Sequence, residues 1–351
     1  MLWSSILVVA SLATGSAIAA PDTNVTIEVD SARKELTITA GPYSLPNMPP
    51  MADHAMMDFG VSHDTPINQF EWPLEGWFRG FRIGLVDVKG NELPRDVIHH
   101  LIVVNFSRRQ LVYSAAERLM GAGTETEDVS VPKTIGVPMA PGMRLGMYVA
   151  WHNDSGRDLE GVYLKVTMLW TPKNQNPQPV NSLPLYMDVN LTVGGSNTFD
   201  VPPGKSEKAH QFTLPVGGRL LGVGGHLHDY GVRVRLEDGK SGKVITTVAA
   251  TRDSAGKVSD IEHELFGVSG EGLRLKANHP YRVVGEYDNP TGKILVKGAM
   301  ASMVGLFVPD DLSKWPAIEP AHPDYRRDMA SLRVRGDATH GARGAGHGAH
   351  H

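Results

Sequence analysis

Along most of the chain, apolar and polar positions alternate in short runs broken by Gly, Pro, Asn and Asp. That is the period of half-buried strands. The runs predict strands over 25–29, 81–88, 98–106, 147–151, 162–169, 231–236, 244–248, 281–287 and 300–308. Asp238-Gly239 falls between two of them and is a hairpin signal. Helices are expected to be scarce, and no internal repeat of fixed period marks a solenoid or propeller. Short strands at this spacing, in a chain with 38 Gly and 24 Pro, give an all-β fold of the sandwich type.

The ends and one internal break divide the chain. Residues 1–19 form an apolar stretch ending in small residues, which reads as a signal peptide cut after Ala19. The stretch is too short, and too interrupted by Ser, Thr and Gly, to cross a bilayer core of about 30 Å. The expected location is therefore secreted or periplasmic, with no membrane attachment after cleavage. What remains of the 351 residues is large for one core and suits two domains. The polar, Pro-containing segment TPKNQNPQPVNS places the join: a domain over 20–172, a linker over 173–182 and a second domain over 183–312. Residues 313–351 read as an irregular tail, expected to be disordered, that carries His340, His347, His350 and His351. Those histidines either scavenge metal or simply solubilise the end.

Charge and cysteine usage narrow the function classes. With 34 basic against 38 acidic residues there is no electrostatic case for nucleic acid or an anionic membrane as partner. No cysteine is present, so disulfides and thiolate metal sites are excluded, and any metal must be held by His, Met, Asp or Glu. Hydrolase, phosphate-binding and dinucleotide motifs are absent from the sequence.

Candidate chemistry gathers in three segments. In DVIHHLIVV, His99 and His100 interrupt an apolar strand. Neighbouring strand residues face opposite ways, so both can reach one ion only if the backbone bulges or twists there. The alternative is a buried, hydrogen-bonded pair. In GGHLHDYG, His226 and His228 stand two apart, which sets both imidazoles on one strand face at a spacing that suits two ligands on one ion. The third segment, GAMASMVGLFVP, opens with Met300, whose thioether is either core packing or a soft donor suited to Cu(I).

In content and order the three segments resemble the copper type II, ascorbate-dependent monooxygenases, the family of peptidylglycine α-hydroxylating monooxygenase and dopamine β-monooxygenase. Trp151-His152-Asn153 and the strand after it are similar to the family's His-Asn segment, and the likeness spans about residues 75–309. It implies two antiparallel jelly-roll-like β-sandwich domains in tandem and two separated copper ions per chain. By the resemblance, His99, His100 and His152 would hold an electron-transfer copper, and His226, His228 and Met300 the copper that meets dioxygen. Its implied partners are a small organic substrate, dioxygen and an ascorbate-like electron donor. The sequence departs from the family in four ways: the third histidine aligns with Ala150, Gly224 replaces an Arg, Ser302 and Val304 replace substrate-side residues, and there are no disulfides. These leave two functions open, a copper monooxygenase and a non-catalytic copper protein for storage or trafficking.

A Met- and His-rich stretch carries Met48, Met51, His54, Met56, Met57 and His63, which either captures Cu(I) or covers a hydrophobic gap. His210, His263, His279 and His322 lack a partner at ligand spacing and read as surface or hydrogen-bonded histidines. Sequons occur at Asn24, Asn105, Asn153 and Asn190; a glycan at Asn153 would crowd His152, which points to an unglycosylated, prokaryotic protein.

Overall fold

A computed structural model describes residues 17–19, 25–48, 63–64, 67–123, 125–126, 128–266 and 271–337. The fold is all-β: two β-sandwiches in tandem, antiparallel among the described residues except for one short parallel pair between Ile135–Met139 and Val180–Asn181. In the first sandwich, a nine-stranded sheet is built around Glu35–Leu45, Leu159–Pro172 and Gly76–Val86. It faces a five-stranded sheet centred on Met143–Trp151, Ile98–Arg109 and Ala116–Gly123. Alternation along these strands sends Leu36, Ile38, Val166 and Met168 inward against Leu101, Val103, Leu145 and Met147, all but sealed from solvent.

The second sandwich pairs a sheet of Leu183–Asp188, Ala301–Pro309 and Gly218–Leu227 with one of Gly204–Thr213, Pro280–Asn289, Gly231–Asp238, Val244–Arg252 and Val258–Ile261. Its core joins Leu185, Met187, Leu220, Leu227, Met303 and Phe307 to Phe212, Val234, Leu236, Val248 and Val283. The two cores part between Leu183, which packs into the first, and Leu185, which packs into the second. A small apolar contact joins the sandwiches where Val131 and Ile135 meet Leu221, Leu306 and Val308.

Several segments differ from the expectations. Within 173–182, Val180–Asn181 is a strand in the first sandwich's larger sheet, so the end of that linker is held by main-chain pairing. In the tail, Pro323–Asp337 is an α-helix. Its Leu332 packs on Val104, Phe106 and Ala116, and buried Asp328 makes a two-pronged ion pair with Arg118 (2.6 and 2.8 Å) while accepting from the Ala116 N–H. Residues 323–337 read as irregular in sequence because their apolar stripe is thin; the buried ion pair fixes them. Gly218–Leu227 is a strand absent from the hydrophobic pattern, because four of its ten residues are Gly. Of the proposed signal peptide, only Ala17–Ala19 is described, paired with Thr26–Glu28. Met51, His54, Met56, Met57, His340, His347, His350 and His351 lie outside the described residues.

Candidate metal centre

The first histidine pair sits on a fault in the sheet. Along Met143–Trp151, Ala150 pairs with His100 and Trp151 pairs with Ile98, so His99 is an extra residue in its strand. A bulge of this kind breaks the alternation that would aim the two side chains apart. The His99 and His100 rings accordingly lie side by side, centroids 4.1 Å apart, both half-buried, while Leu101 beyond them returns to the core. The bulge that the sequence requires for joint use of this pair is present.

The second pair depends on another fault further upstream. Leu220 pairs with Phe307 and Gly222 with Leu306, leaving Leu221 as an extra residue. Leu220 points into the second core, so regular alternation would send positions 222, 224 and 226 inward too. The bulge reverses the parity. Leu221 turns to the first sandwich, Val223 and Leu227 keep the core, and Gly224 and His226 face outward. His228 lies just past the strand end, with its N–H donating to the Met300 carbonyl (3.3 Å).

These two faults bring the pairs together. His100 Nε2 is 3.2 Å from His226 Nε2. Ligand atoms of His100, His226 and His228 all lie within 4.8 Å of one another. Ring centroids are 4.9 Å apart for His100 and His226, 5.1 Å for His226 and His228, 5.9 Å for His100 and His228, and 6.1 Å for His99 and His228. Four imidazoles on one tetrahedral ion, bound at about 2.0 Å, would have ligand atoms about 3.3 Å apart and ring centroids about 5 Å apart. The donor set therefore fits one nitrogen-bound transition metal, with His99 alongside.

Electrostatics sort the four rings. His226 Nδ1 is 2.6 Å from Glu125 Oε1, an acid carried by the first sandwich. Burial opposes charging of His226, but the Glu125 carboxylate outweighs it and raises the pKa. Glu125 is itself buried; the desolvation that would raise its pKa is overcome by His226, so it stays ionised. His99 is pushed down to about 4, first by burial and then by His226 and His152, so at neutral pH it is an uncharged donor. Beside His226 in the sheet comes Ser302 and then Asp188, whose carboxylate accepts from Tyr186 Oη (2.5 Å) and Asn197 Nδ2 (2.9 Å). Burial raises the Asp188 pKa against these hydrogen bonds.

Of the expected ligands, His99, His100, His226 and His228 converge, whereas the two sets expected to hold separate ions are not separate. His152 stands outside the group: its N–H donates to the Val97 carbonyl (2.9 Å), and its Nε2 is 4.0 Å from Asp154. It lies near enough to His99 to act on its charge. Met300 adjoins His228 through its carbonyl, which also accepts from the Tyr287 hydroxyl. Ala150, where the family resemblance would put a histidine, lies directly across from His100. Glu125 carries no sequence signal, since an acid in a polar turn is ordinarily solvated. His263 shares the outward face, its ring lying over Gly224, where the family resemblance would put an Arg.

No family model and no curated protein matches the chain. Among solved structures it is similar to PNGF-II, with 10% identity and a TM-score of 0.35, covering 78% of this chain and 65% of PNGF-II. It is also similar to a chain from Sulfolobus Turreted Icosahedral Virus, with 9% identity, a TM-score of 0.34, and coverage of 86% and 98%. For the major capsid protein P2 of bacteriophage PM2, identity is 10%, the TM-score 0.30, and coverage 75% and 97%. At this level of likeness the site must be read from its own residues.

Proposed function

We propose that this is an exported copper-binding protein whose metal sits between its two sandwiches, on His100, His226 and His228 with His99 beside them. One observation carries the reading: ligand atoms from two separate sandwiches converge within 4.8 Å. Imidazole suits copper and zinc alike, and copper stands above zinc in intrinsic affinity for such a donor set. The neighbouring Met300 and the order of the His-His, His-x-His and Met segments favour copper further. Bound there, copper would supply one-electron redox chemistry.

This chain's own residues do the rest. Burial keeps His99 uncharged, and Ala150 lies directly across from His100. Of the two functions left open by the sequence, the convergence supports copper binding at a shared centre over a monooxygenase with two coppers held apart. Hydroxylation of a small organic substrate with dioxygen and an ascorbate-like donor is the second reading. It is favoured by the main-chain hydrogen bond from His228 to Met300, which sets side by side two of the residues that the resemblance assigns to a dioxygen-meeting copper.

Competitive titration with copper and zinc, monitored by elemental analysis, tests the first reading; copper is expected to bind about tenfold or more tightly. Preference for zinc, or no metal at all, would sink it. Oxygen uptake that requires both copper and ascorbate, and rises with amidated or phenethylamine-like substrates, would establish the second.

A further inference from the structure

We infer that Glu125 is the positioning residue of the metal centre: reaching from the first sandwich to His226 in the second, it fixes which nitrogen meets the metal and supplies the negative charge that favours the divalent ion. This rests on the copper-binding reading above, which assigns Glu125 no part.

The geometry is specific. Glu125 Oε1 lies 2.6 Å from His226 Nδ1, and the carboxylate side chain is only 9% exposed. An ionised carboxylate accepts only, so Nδ1 must carry the proton in that bond. In the neutral ring this leaves the lone pair on Nε2, the atom 3.2 Å from His100 Nε2. The carboxylate thus selects the tautomer that aims a donor at the cluster, and a histidine ligand held by an outer carboxylate is bound more firmly for it.

The turn that carries Glu125 is built to hold it. Thr126 N–H donates to the Gly123 carbonyl (3.2 Å), and Gly123 N–H donates to Thr126 Oγ1 (2.9 Å). Arg95 donates to the Thr126 carbonyl from the far side. A Cβ at Gly123 would overlap the folded-back Glu125 carboxylate, so only glycine leaves room for this arrangement. Because turn and histidine belong to different sandwiches, the contact also ties assembly of the centre to their docking.

A buried negative charge beside a metal stabilises Cu(II) more than Cu(I), since the interaction scales with the ion's charge. A merely structural contact would weaken both oxidation states alike. Glu125→Gln keeps an oxygen acceptor and removes the charge; Glu125→Ala removes both. The test is to measure Cu(II) and Cu(I) affinities and the reduction potential of full-length wild type and both variants, with the His226 tautomer read by nitrogen NMR in metal-free protein at a pH high enough for the ring to be neutral. In Glu125→Gln, Cu(II) affinity is expected to fall about 10- to 100-fold and Cu(I) affinity by much less. Each tenfold difference would raise the potential by about 59 mV. In metal-free Glu125→Ala, His226 is expected to lose its single Nδ1–H tautomer, a result that needs no bound metal. Equal losses for both ions with an unchanged potential, or an unchanged tautomer in Glu125→Ala, would overturn the role given to Glu125 while the metal centre stood. Wild type that binds no copper would overturn both.

Discussion

The two histidine pairs reach the same place by opposite means. In Ile98–Arg109 the bulge falls on the pair itself, and His99 is the inserted residue. In Gly218–Leu227 the bulge falls five residues before His226, and the pair keeps the regular spacing of two. The first device turns neighbours to one side; the second sets which side an already aligned pair will face. Ligand spacing in a sequence therefore constrains a site only in combination with strand parity, and parity is reset by each inserted residue.

The largest expected effect comes from breaking either pair. His100→Ala and His228→Ala should each lower copper affinity by about 100-fold or more, and the double variant should lose little beyond either single change, because both ligands serve one ion. Additive losses in a binding titration would mean that the pairs work separately. Next, Trp151→Ala removes a fully buried side chain next to the bulge. Chemical denaturation should register about 3–5 kcal/mol of lost stability. Metal binding at the first pair should weaken with it, while the upstream bulge in the second sandwich keeps its register.

Acid should sharpen the contrast in the metal-free protein. His99 titrates near 4 when folded and near about 6.5 when unfolded, so between those values the unfolded state holds more protons. Stability from this group is complete above about pH 6.5 and is lost as pH falls through 6.5 towards 4, by at most about 3 kcal/mol. His226 runs the other way: with its pKa raised, its contribution is present below about pH 6.5 and is lost as pH rises through the folded value. Denaturation midpoints measured from pH 7 to pH 4 should therefore fall less steeply in His99→Asn and more steeply in Glu125→Gln; identical slopes in all three proteins would contradict these assignments. The smallest effect belongs to Gly224→Ala. The added Cβ would come 2.8 Å from the His263 ring, the end of an exposed side chain that can swing away, so stability should change by under about 1 kcal/mol with copper affinity unaltered.

Much of the sandwich was legible because alternation is a strong signal where strands carry large residues. Phe81, Ile83 and Leu85, or Val162, Leu164 and Val166, mark both strand and inward face by themselves. Gly218–Leu227 escaped because its glycines carry no pattern, and the helix over 323–337 because a buried Asp328–Arg118 pair, not an apolar stripe, docks it. At the site, the histidines stood out as polar residues inside apolar runs, and the need for a bulge at His99-His100 followed from strand geometry alone. Their convergence across two sandwiches depends on docking that no local pattern encodes. Glu125 was invisible for the same reason, since its partner is 101 residues away.

Copper stoichiometry on a chain ending at residue 337, which removes the histidines of the tail, tests the shared centre most directly. The account predicts one copper per chain, lost entirely in His100→Ala and equally in His228→Ala; two coppers per chain, with one retained in each variant, would contradict it.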